Sequence, residues 1–468
     1  MDLDEIKRGQ HSFMKSRIIV EDFGKIRYAE LEMKPMMMFI GDNNSGKSYL
    51  MSLLWGLSSN SRQILTCLTP EIKENALYRE CEAYILKKLT SEDNMDQVDH
   101  LDHIWFDKFW RLLNTCIAQN KDAFVSDIFN KEMHIGRLEL HAEMDHTIDI
   151  SVENTVYTYK YKSRTERYEK LMWVNIVGGN GLGMFINEEL LRDPGKYVET
   201  VLKIFLEYWS EHFVLEDNAV FLPSSRTGFV LSKNILTNQV YDSSFNKFSN
   251  TLQEEPSYFT KPVISFLKLL NSIGEKEYKS NGLKQIAEFM EREILHGEVE
   301  IQKTLSTSFL YKPEKSEQEI QMYLASAVVT EIAPLYLLCK YSHRISQLFI
   351  EEPEMCMHPQ FQVLVARVLV RMRHEGIPVM ATTHSDIMIQ HINNMLRVKK
   401  SDRRQELMER FHLEEADLLD DDDIGLYQFV CKDGSESEVL ELKAGELGFE
   451  TPTFSNIFEK MLDLTYEI

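Results

Sequence analysis

The chain has 468 residues, 43% of them hydrophobic and 27% charged, proportions of an ordinary globular protein that exclude disordered and fibrous classes. Its formal net charge of -22 repels polyanions, so we expect no strong direct nucleic-acid binding and no membrane partner. The six cysteines lack a C-x-x-C pair and no apolar run approaches the roughly 20 residues of a membrane span, which disfavours a zinc ribbon or disulfide framework and favours a cytoplasmic location.

The first elements are short strands that lead into a glycine-containing loop. Residues 17–40 alternate and end in the apolar run MMMFI, which predicts a fully buried strand. Helical spacing of apolar residues then extends over 49–131. A period-two alternation over 135–162 predicts a small antiparallel sheet, and helical spacing returns over 187–213.

The later part of the chain returns to buried strands with polar tips. We predict, in order, a strand ending at Pro223, helices over 244–295, strands over 297–325, a packed helix over 325–338, a strand over 347–350, a helix over 361–373, and a strand with its loop over 377–385. One strand, loop and helix early, and two strand-then-polar-tip units late, predict an α/β fold with a mostly parallel sheet flanked by helices.

The loop after the first buried strand, GDNNSGKS, fits the pattern G-x-x-x-x-G-K-[ST]. Glycines in such a loop let backbone N–H groups surround phosphates at a helix N-terminus, while Lys47 reaches the terminal phosphates and the Ser48 hydroxyl binds Mg²⁺. An apolar strand before the loop and a helical pattern after it argue against a chance match. The predicted nucleotide-binding residues are Gly41, Asp42, Asn43, Asn44, Ser45, Gly46, Lys47 and Ser48.

Carboxylates follow a second buried strand, in LFIEEPEMCMHP at 348–359. Carboxylates at a strand tip suit a metal ion and a water molecule, so we assign Glu351 to Mg²⁺ and Glu352 to polarising the attacking water. An exposed acidic turn is the alternative, and the phosphate-type loop elsewhere in the chain disfavours it.

A histidine follows a third strand, in VMATTHSDI at 379–387. An imidazole there can hydrogen-bond the terminal phosphate, and we assign this catalytic role to His384. A lone histidine is more often an ordinary polar loop residue. Its order after the other two motifs favours the catalytic role.

Together these motifs resemble the ABC-type ATPases of the SMC and Rad50 class, and more closely their stand-alone OLD-like and AAA15/AAA21-like members. In that family the phosphate loop reads G-x-N-N-x-G-K-S, Walker B ends in E-E-P-E followed by an H-P pair, and the switch reads T-H-S. The matching positions are 41–48, 351–354 with His358 and Pro359, and 383–385. The resemblance implies an ATP hydrolase with ATP and Mg²⁺ as cofactors.

The same resemblance marks two further positions. P-x-x-R-x-G matches 223–228, making Arg226 a candidate phosphate or interface arginine, with an ordinary surface arginine as the alternative. The family's signature serine, which faces the nucleotide of a second subunit, corresponds to Ser326, but Ala327 and Val328 replace the glycine that should follow. The signature serine implies a homo-oligomer, at least a dimer closed around ATP. The loss of the glycine implies slow hydrolysis.

The resemblance divides the chain into an ATPase head and insertions. We expect an N-terminal lobe with Walker A at 1–60, a helical and small β insertion at 61–215, a return to the core at 216–243, a second helical insertion at 244–296, and a C-terminal lobe at 297–468.

The short tail after the switch bears on function. OLD-like nucleases carry a TOPRIM domain there, with a glutamate on one strand and D-x-D on another, whereas LLDDDDIGLYQF offers acids without that preceding strand and glutamate. The chain then looks most like the AriA-type ATPases of PARIS anti-phage systems, with Septu-type ATPases next. This implies a sensor and scaffold that holds a separate nuclease effector, TOPRIM type favoured, and releases it on meeting a phage-encoded trigger protein. A DNA-repair or DNA-binding SMC/Rad50-like ATPase is the alternative.

Two other clusters have less specific interpretations. His100 and His103, in VDHLDHIW, could bind a metal, but an amphipathic helix surface is favoured because no third region supplies ligands. The basic run RVKKSDRR at 397–404 could meet an acidic partner or a phosphate backbone, and a solvated helix face is favoured.

Overall fold

The computed structural model describes residues 16–65, 70–90, 99–143, 148–161, 164–176, 182–186, 198–199, 201–202, 205–206, 219–233, 235, 259–274, 281–303, 307–316, 318–341, 345–431, 434–451, 462–463 and 465–466. The chain divides into two compact units. The first comprises Met1–Ile19, Asn60–Phe124 and Arg137–Glu211, and the second comprises Val20–Ser59, Val125–Gly136 and His212–Ile468.

The strands, in chain order, are β1 Ser16–Phe23, β2 Ile26–Glu32, β3 Met36–Gly41, β4 Asp99–His100, β5 Ile135–Ala142, β6 Ile148–Tyr161, β7 Arg164–Ile176, β8 Leu182–Ile186, β9 Ala219–Leu222, β10 Gly297–Lys303, β11 Thr307–Pro313, β12 Ile320–Gln321, β13 Gln347–Glu351, β14 Val379–Thr382, β15 Ile424–Cys431, β16 Ser437–Leu442, β17 Ala444–Gly445 and β18 Gly448–Phe449.

The helices are α1 Lys47–Leu65, α2 Pro70–Glu74, α3 Ala76–Thr90, α4 His103–Phe129, α5 Lys261–Ser272, α6 Asn281–Met290, α7 Ala327–Tyr341, α8 Pro359–His374, α9 Asp386–Lys400 and α10 Arg404–Phe411. Residues 226–233 are also helical.

The first unit combines helices with a four-stranded antiparallel sheet in the order β4, β6, β7, β8. Of the region predicted as a small antiparallel sheet over 135–162, Ile148–Tyr161 lies in this sheet, whereas Ile135–Ala142 forms β5 at the edge of the nine-stranded sheet. Aromatic side chains of α4 pack around Phe205, with Phe109 at 5.2 Å and Phe106 at 5.5 Å between ring centroids. Aromatic rings in tilted contact of this kind bury much apolar area per residue, and they contribute to the core of the unit.

A nine-stranded sheet runs in the order β5, β1, β2, β16, β15, β3, β14, β13, β9. Strands β1 and β5 each contribute residues to both units. Neighbours from β15 to β9 pair in parallel, whereas β15 and β16 are antiparallel. The predicted α/β fold with a mixed, mostly parallel sheet is confirmed.

Three of the parallel strands are short apolar runs buried on both faces. All residues of β3, β13 and β14 are buried, as expected where helices cover both faces of a parallel sheet. Their register places Glu351 beside Thr382, and Thr382 beside Phe39. The polar residues that follow each strand therefore meet at one edge of the sheet.

The helices of the second unit complete its core. Helix α7 is buried along nearly its whole length from Val329 to Tyr341. Residues of α5 and α6, such as Phe266 and Met290, belong to the same apolar cluster as Ile350 of β13. The region predicted as a helical insertion at 244–296 thus contributes, in its described part, directly to the core beside the sheet.

The chain after the switch contains strands that the sequence analysis did not assign. β15, with six consecutive buried residues from Ile424 to Phe429, pairs in parallel with β3. β16 then returns antiparallel beside it. The tail therefore supplies two interior strands of the nine-stranded sheet.

The two remaining clusters take definite places. His100 ends strand β4 and His103 begins helix α4, so the expected shared helix surface is wrong. Within the described ranges no group of three or more His, Cys, Asp or Glu could hold a metal ion. The helices of those ranges include none with the length and apolar character to span a membrane. The predicted helices over 187–213 lie mostly outside the described residues.

Candidate functional site

The loop between β3 and α1 has the backbone that its glycines require. Gly41 has φ 142° and Gly46 φ 102°, values at which side chains are strained. A Cβ at Gly41 would lie 2.7 Å from the carbonyl oxygen of Phe429, and one at Gly46 would lie 2.8 Å from Cγ1 of Ile26. Both positions therefore admit glycine alone, and the loop folds back over the N-terminus of α1, where free N–H groups favour an anion.

Lys47 lies inside this loop. Its ammonium donates hydrogen bonds to the carbonyl oxygens of Gly41 at 2.9 Å and Asp42 at 2.7 Å, and to Oγ of Ser45 at 3.3 Å. Burial lowers the pKa of Lys47 to about 8, against the opposing effect of carboxylates led by Glu352. The cation is thus held among oxygen atoms at the place where phosphate oxygens would approach.

Glu351 ends β13 as a buried carboxylate. Burial raises its pKa, while the Ser48 hydroxyl and the N–H of Ser224, at 3.2 Å from Oε2, act in the opposite direction. Its other oxygen, Oε1, is buried and has no hydrogen-bond partner among the described residues. An unsatisfied buried carboxylate oxygen beside a hydroxyl is an oxygen donor set that fits Mg²⁺.

Glu352 has an unusual backbone. Its φ of 43° is in the left-handed region, which a non-glycine residue occupies only where its surroundings fix it. Its N–H donates to the carbonyl oxygen of Thr382 at 3.0 Å and to Oγ1 of Thr382 at 3.2 Å. The half-buried carboxylate is the first of the charges that oppose the lowering of the Lys47 pKa.

The switch residue is tied to the carboxylate strand by a glutamate that the sequence analysis did not select. The N–H of His384 donates to Oε1 of Glu354 at 2.6 Å. Burial raises the pKa of Glu354, and its Oε2 is buried without a hydrogen-bond partner among the described residues. Burial and the nearby Lys47 lower the pKa of His384, so its imidazole is neutral at pH 7.

Arg226 is buried, whereas Ser326 is exposed. The guanidinium of Arg226 is occupied by carbonyl oxygens of Pro223, Glu351 and Glu352 and by Glu331. This position differs from both a phosphate-facing and a surface arginine. Ser326 is exposed at the start of α7, where its Oγ accepts from the N–H of Val329 at 3.4 Å.

The structure therefore brings most of the predicted site together at one sheet edge. The phosphate loop, Glu351, Glu352 and His384 follow the neighbouring strands β3, β13 and β14. Arg226 lies behind Glu351 and Glu352, on their carbonyl oxygens. Glu354 was within the E-E-P-E motif, but only the fold shows that its carboxylate reaches the switch backbone.

The basic run after the switch is largely neutralised within the chain. Lys399 pairs with Glu415 at 3.1 Å and lies 3.8 Å from Asp420. Lys400 pairs with Asp421, and Arg404 pairs with Glu415. The acids that follow α10 therefore offset cations at the end of α9 and at the start of α10, as expected of a solvated surface.

Comparison with known proteins gives a family and a fold. The family model AAA_15, described as "AAA ATPase domain", matches residues 14–389. No curated protein matches the chain.

Three solved structures are similar, each at 8% sequence identity. They are the Smc head bound to the C-winged helix domain of ScpA (TM-score 0.36, covering 92% of this chain and 98% of that chain), the SMC head domain from Thermotoga maritima (TM-score 0.32, 92% and 99%), and the Smc head domain with an extended coiled coil bound to the C-terminal domain of ScpA derived from Pyrococcus furiosus (TM-score 0.36, 96% and 99%).

Proposed function

The chain belongs to the AAA_15 family of AAA ATPase domains, and on that premise we propose that it hydrolyses ATP to ADP and phosphate at the edge of its central sheet. The observation that carries the proposal is the meeting of Lys47, Ser48 and Glu351 at that edge. A buried lysine in a phosphate-binding loop stands there beside a buried, incompletely satisfied carboxylate.

Each residue has a role that follows from its position. The loop N–H groups and Lys47 bind the phosphates. Ser48 and Glu351 hold Mg²⁺, which when bound neutralises charge on the phosphate oxygens. Glu352 orients and polarises the attacking water, and the neutral His384 meets the terminal phosphate.

Glu352→Gln tests the reaction. This substitution keeps the side-chain shape but removes the base, so phosphate release from Mg-ATP should fall about 100-fold or more, while ATP binding persists. Glu409→Gln, an exposed glutamate on α10, is the matched control and should retain the wild-type rate. Equal rates for wild type and Glu352→Gln would remove Glu352 from the reaction.

We further propose that hydrolysis is slow and controls assembly. Ser326 is exposed at the N-terminus of α7, which supports a contact with the nucleotide of a second copy, and Ala327 follows it in place of the family's glycine. Closing two copies around ATP then gives the homo-oligomer. Sedimentation of Glu352→Gln with and without Mg-ATP tests this step: an unchanged sedimentation coefficient contradicts it.

For the biological role, we propose the sensor and scaffold subunit of a cytoplasmic anti-phage system, which holds a separate nuclease effector and releases it when a phage-encoded trigger appears. Two observations support action on a protein partner over action on DNA. The net charge is -22, and the one basic run identified in the sequence is paired with Glu415, Asp420 and Asp421.

Phage challenge tests this role. Cells that carry the gene with its genomic neighbours should form fewer plaques than cells with either part alone, and Lys47→Ala should abolish the protection. The DNA-repair alternative predicts a different result: strong duplex-DNA binding by the isolated chain, weakening steeply with salt, and protection that does not depend on a nuclease gene.

A further inference from the structure

Arg226 is the buried centre of a network that joins three segments of the second unit. Its Nε lies 3.1 Å from both the carbonyl oxygen and Oε2 of Glu331. Nη1 donates to the carbonyl oxygens of Pro223 at 3.1 Å and Glu351 at 2.6 Å. Nη2 donates to the carbonyl oxygen of Glu352 at 3.1 Å. One guanidinium thus reaches the turn after β9, the tip of β13 and helix α7.

Glu331 fastens the first turns of α7 to the same segment. Its side chain is 1% exposed, and its Oε1 accepts from the N–H of Thr227 at 3.0 Å. The hydroxyls of Thr227 and Thr330 lie 2.7 Å apart. Because α7 begins directly after Ser326, about one turn of this helix joins the exposed serine to Glu331, the acidic member of the buried ion pair.

The same guanidinium helps to fix the backbone of Glu352. A non-glycine residue at φ 43° persists only where several contacts determine it. The N–H of Glu352 donates a hydrogen bond to Thr382, and the carbonyl oxygen of Glu352 accepts one from Arg226. Loss of either hydrogen bond therefore frees the peptide groups that orient the Glu352 carboxylate.

We infer that Arg226, paired with Glu331, is a positioning residue that couples helix α7 to the backbone of Glu351 and Glu352. A movement of α7, imposed at Ser326 by a second copy of the chain, changes the alignment of the Glu352 carboxylate through this pair. The inference rests on the proposed function, in which Glu352 activates water, and it adds a route by which assembly controls that step.

Glu331→Gln breaks the ion pair with little change in shape and keeps an acceptor for the N–H of Thr227. We expect kcat for ATP hydrolysis to fall about tenfold or more, with KM for ATP changed less than about threefold, because no residue of the phosphate loop contacts Glu331 in the described network. Asp417→Asn is the matched control, since Asp417 is a buried partner of Arg367 and Arg371 remote from Glu352 along the chain. It should leave kcat within about twofold.

A double variant separates positioning from general loss of folded protein. In the Glu352→Gln background, adding Glu331→Gln should change kcat by less than about twofold, because the group that it positions is already absent. A further tenfold loss in that background would overturn the inference. If Glu331→Gln does not fold, Glu331→Asp, which keeps the charge, takes its place. Its loss of kcat should be less than tenfold, and the loss should appear only in the background that retains Glu352.

Hydrogen exchange decides the coupling without any ATP hydrolysis. In the nucleotide-free protein, amides of peptides covering 350–356 should exchange faster in Glu331→Gln than in wild type, and at the wild-type rate in Asp417→Asn. Absence of ATPase activity in the wild type would defeat the proposed function while leaving this measurement intact. Unchanged exchange in Glu331→Gln would overturn the coupling itself.

Discussion

Two clusters of buried charge in the second unit contrast in how completely their carboxylate oxygens are hydrogen-bonded. The arginine cluster consists of Arg367, Arg371 and Asp417. Asp417 is fully buried and accepts from Nη2 of Arg367 at 2.7 Å, from Nε and Nη2 of Arg371 at 2.7 and 3.1 Å, and from the N–H of Glu414 at 2.8 Å. Burial alone would raise its pKa, but the hydrogen bonds from the two arginines outweigh burial and hold the pKa below its ordinary value.

The carboxylate cluster, Glu351, Glu352 and Glu354, is the opposite case. Burial raises the pKa of Glu351 and of Glu354, and each has one buried oxygen without a hydrogen-bond partner among the described residues. A buried carboxylate with both oxygens hydrogen-bonded, like that of Asp417, stabilises a fold, whereas buried carboxylate oxygens without a donor are rare and call for a functional reason. The difference separates a structural cluster from the site proposed to bind a cation and phosphate.

The largest effect should come from removing the cation that faces the carboxylate cluster. Lys47→Ala deletes the charge that would neutralise phosphate oxygens, so ATP hydrolysis should fall at least about 100-fold. Phosphate release from Mg-ATP measures this, with circular dichroism to verify folding. Lys443→Ala, an exposed lysine, is the control. Wild-type activity in Lys47→Ala would defeat the assignment of the whole site.

The arginine cluster should respond in stability alone. Asp417→Asn leaves two buried guanidinium groups without their carboxylate, which should lower the free energy of unfolding by about 3 kcal/mol. Urea unfolding at neutral pH measures the loss. The kcat of the remaining folded protein should stay within about twofold of wild type. A loss of kcat as large as that of Glu352→Gln would show that the two clusters are not separate in function.

The sequence predicted the carboxylate cluster far better than the arginine cluster. Walker A, Glu351, Glu352 and His384 belong to local motifs, each directly after an apolar run that is recognisable as a buried strand. The parallel order of those strands then brings the motifs to one sheet edge. Local pattern and topology sufficed because each side chain acts close to its own strand end.

The buried positions of Arg226 and Asp417, and their partners, could not be predicted in this way. Arg226 is buried because residues more than 100 positions away, Glu331 and Glu351, surround it, and a local pattern contains no information on such meetings. Strand β15 was missed for a related reason. Its apolar run follows four acids, Asp420 to Asp423, and only the pairing of the run with β3 shows that the acids end outside the sheet.

A smaller effect should appear on acidification beside the arginine cluster. Burial and Arg367 lower the pKa of His391 to about 4, while Asp417 opposes this shift. The folded state thus binds its proton less readily than the unfolded state, whose histidine titrates near pH 6.5. Stability should be unaffected well above that pH and should fall as the pH drops from about 6.5 towards about 4, with a loss of about 2 kcal/mol by pH 5.

His391→Leu should remove this part of the pH dependence. Its Nε2 is buried without a hydrogen-bond partner among the described residues, so leucine leaves no polar group stranded. Urea unfolding at pH 7 and pH 5 for wild type, His391→Leu and the exposed control His358→Gln measures the difference. The same pH dependence in His391→Leu as in wild type would show that another group is responsible.

The smallest effect should come from the charges after the switch, where most cations are paired at a solvated surface. Glu415→Gln with Asp421→Asn releases Lys400 and Arg404 from their partners and leaves Lys399 only Asp420, at 3.8 Å. Because exposed ion pairs contribute little, the free energy of unfolding should change by less than about 1 kcal/mol, and by less still in high salt.

The same double variant tests whether pairing masks a nucleic-acid surface. With Lys400 and Arg404 released and Lys399 only weakly paired, weak binding of duplex DNA at 50 mM salt should appear or increase, and it should vanish near 200 mM salt because it depends on counterion release alone. Anisotropy of a labelled duplex measures both proteins under both conditions. Tight binding of duplex DNA by the wild type at 200 mM salt would mean that the DNA contacts cations that the acids after α10 do not neutralise. The DNA-acting alternative would then replace the proposed partner-controlling role.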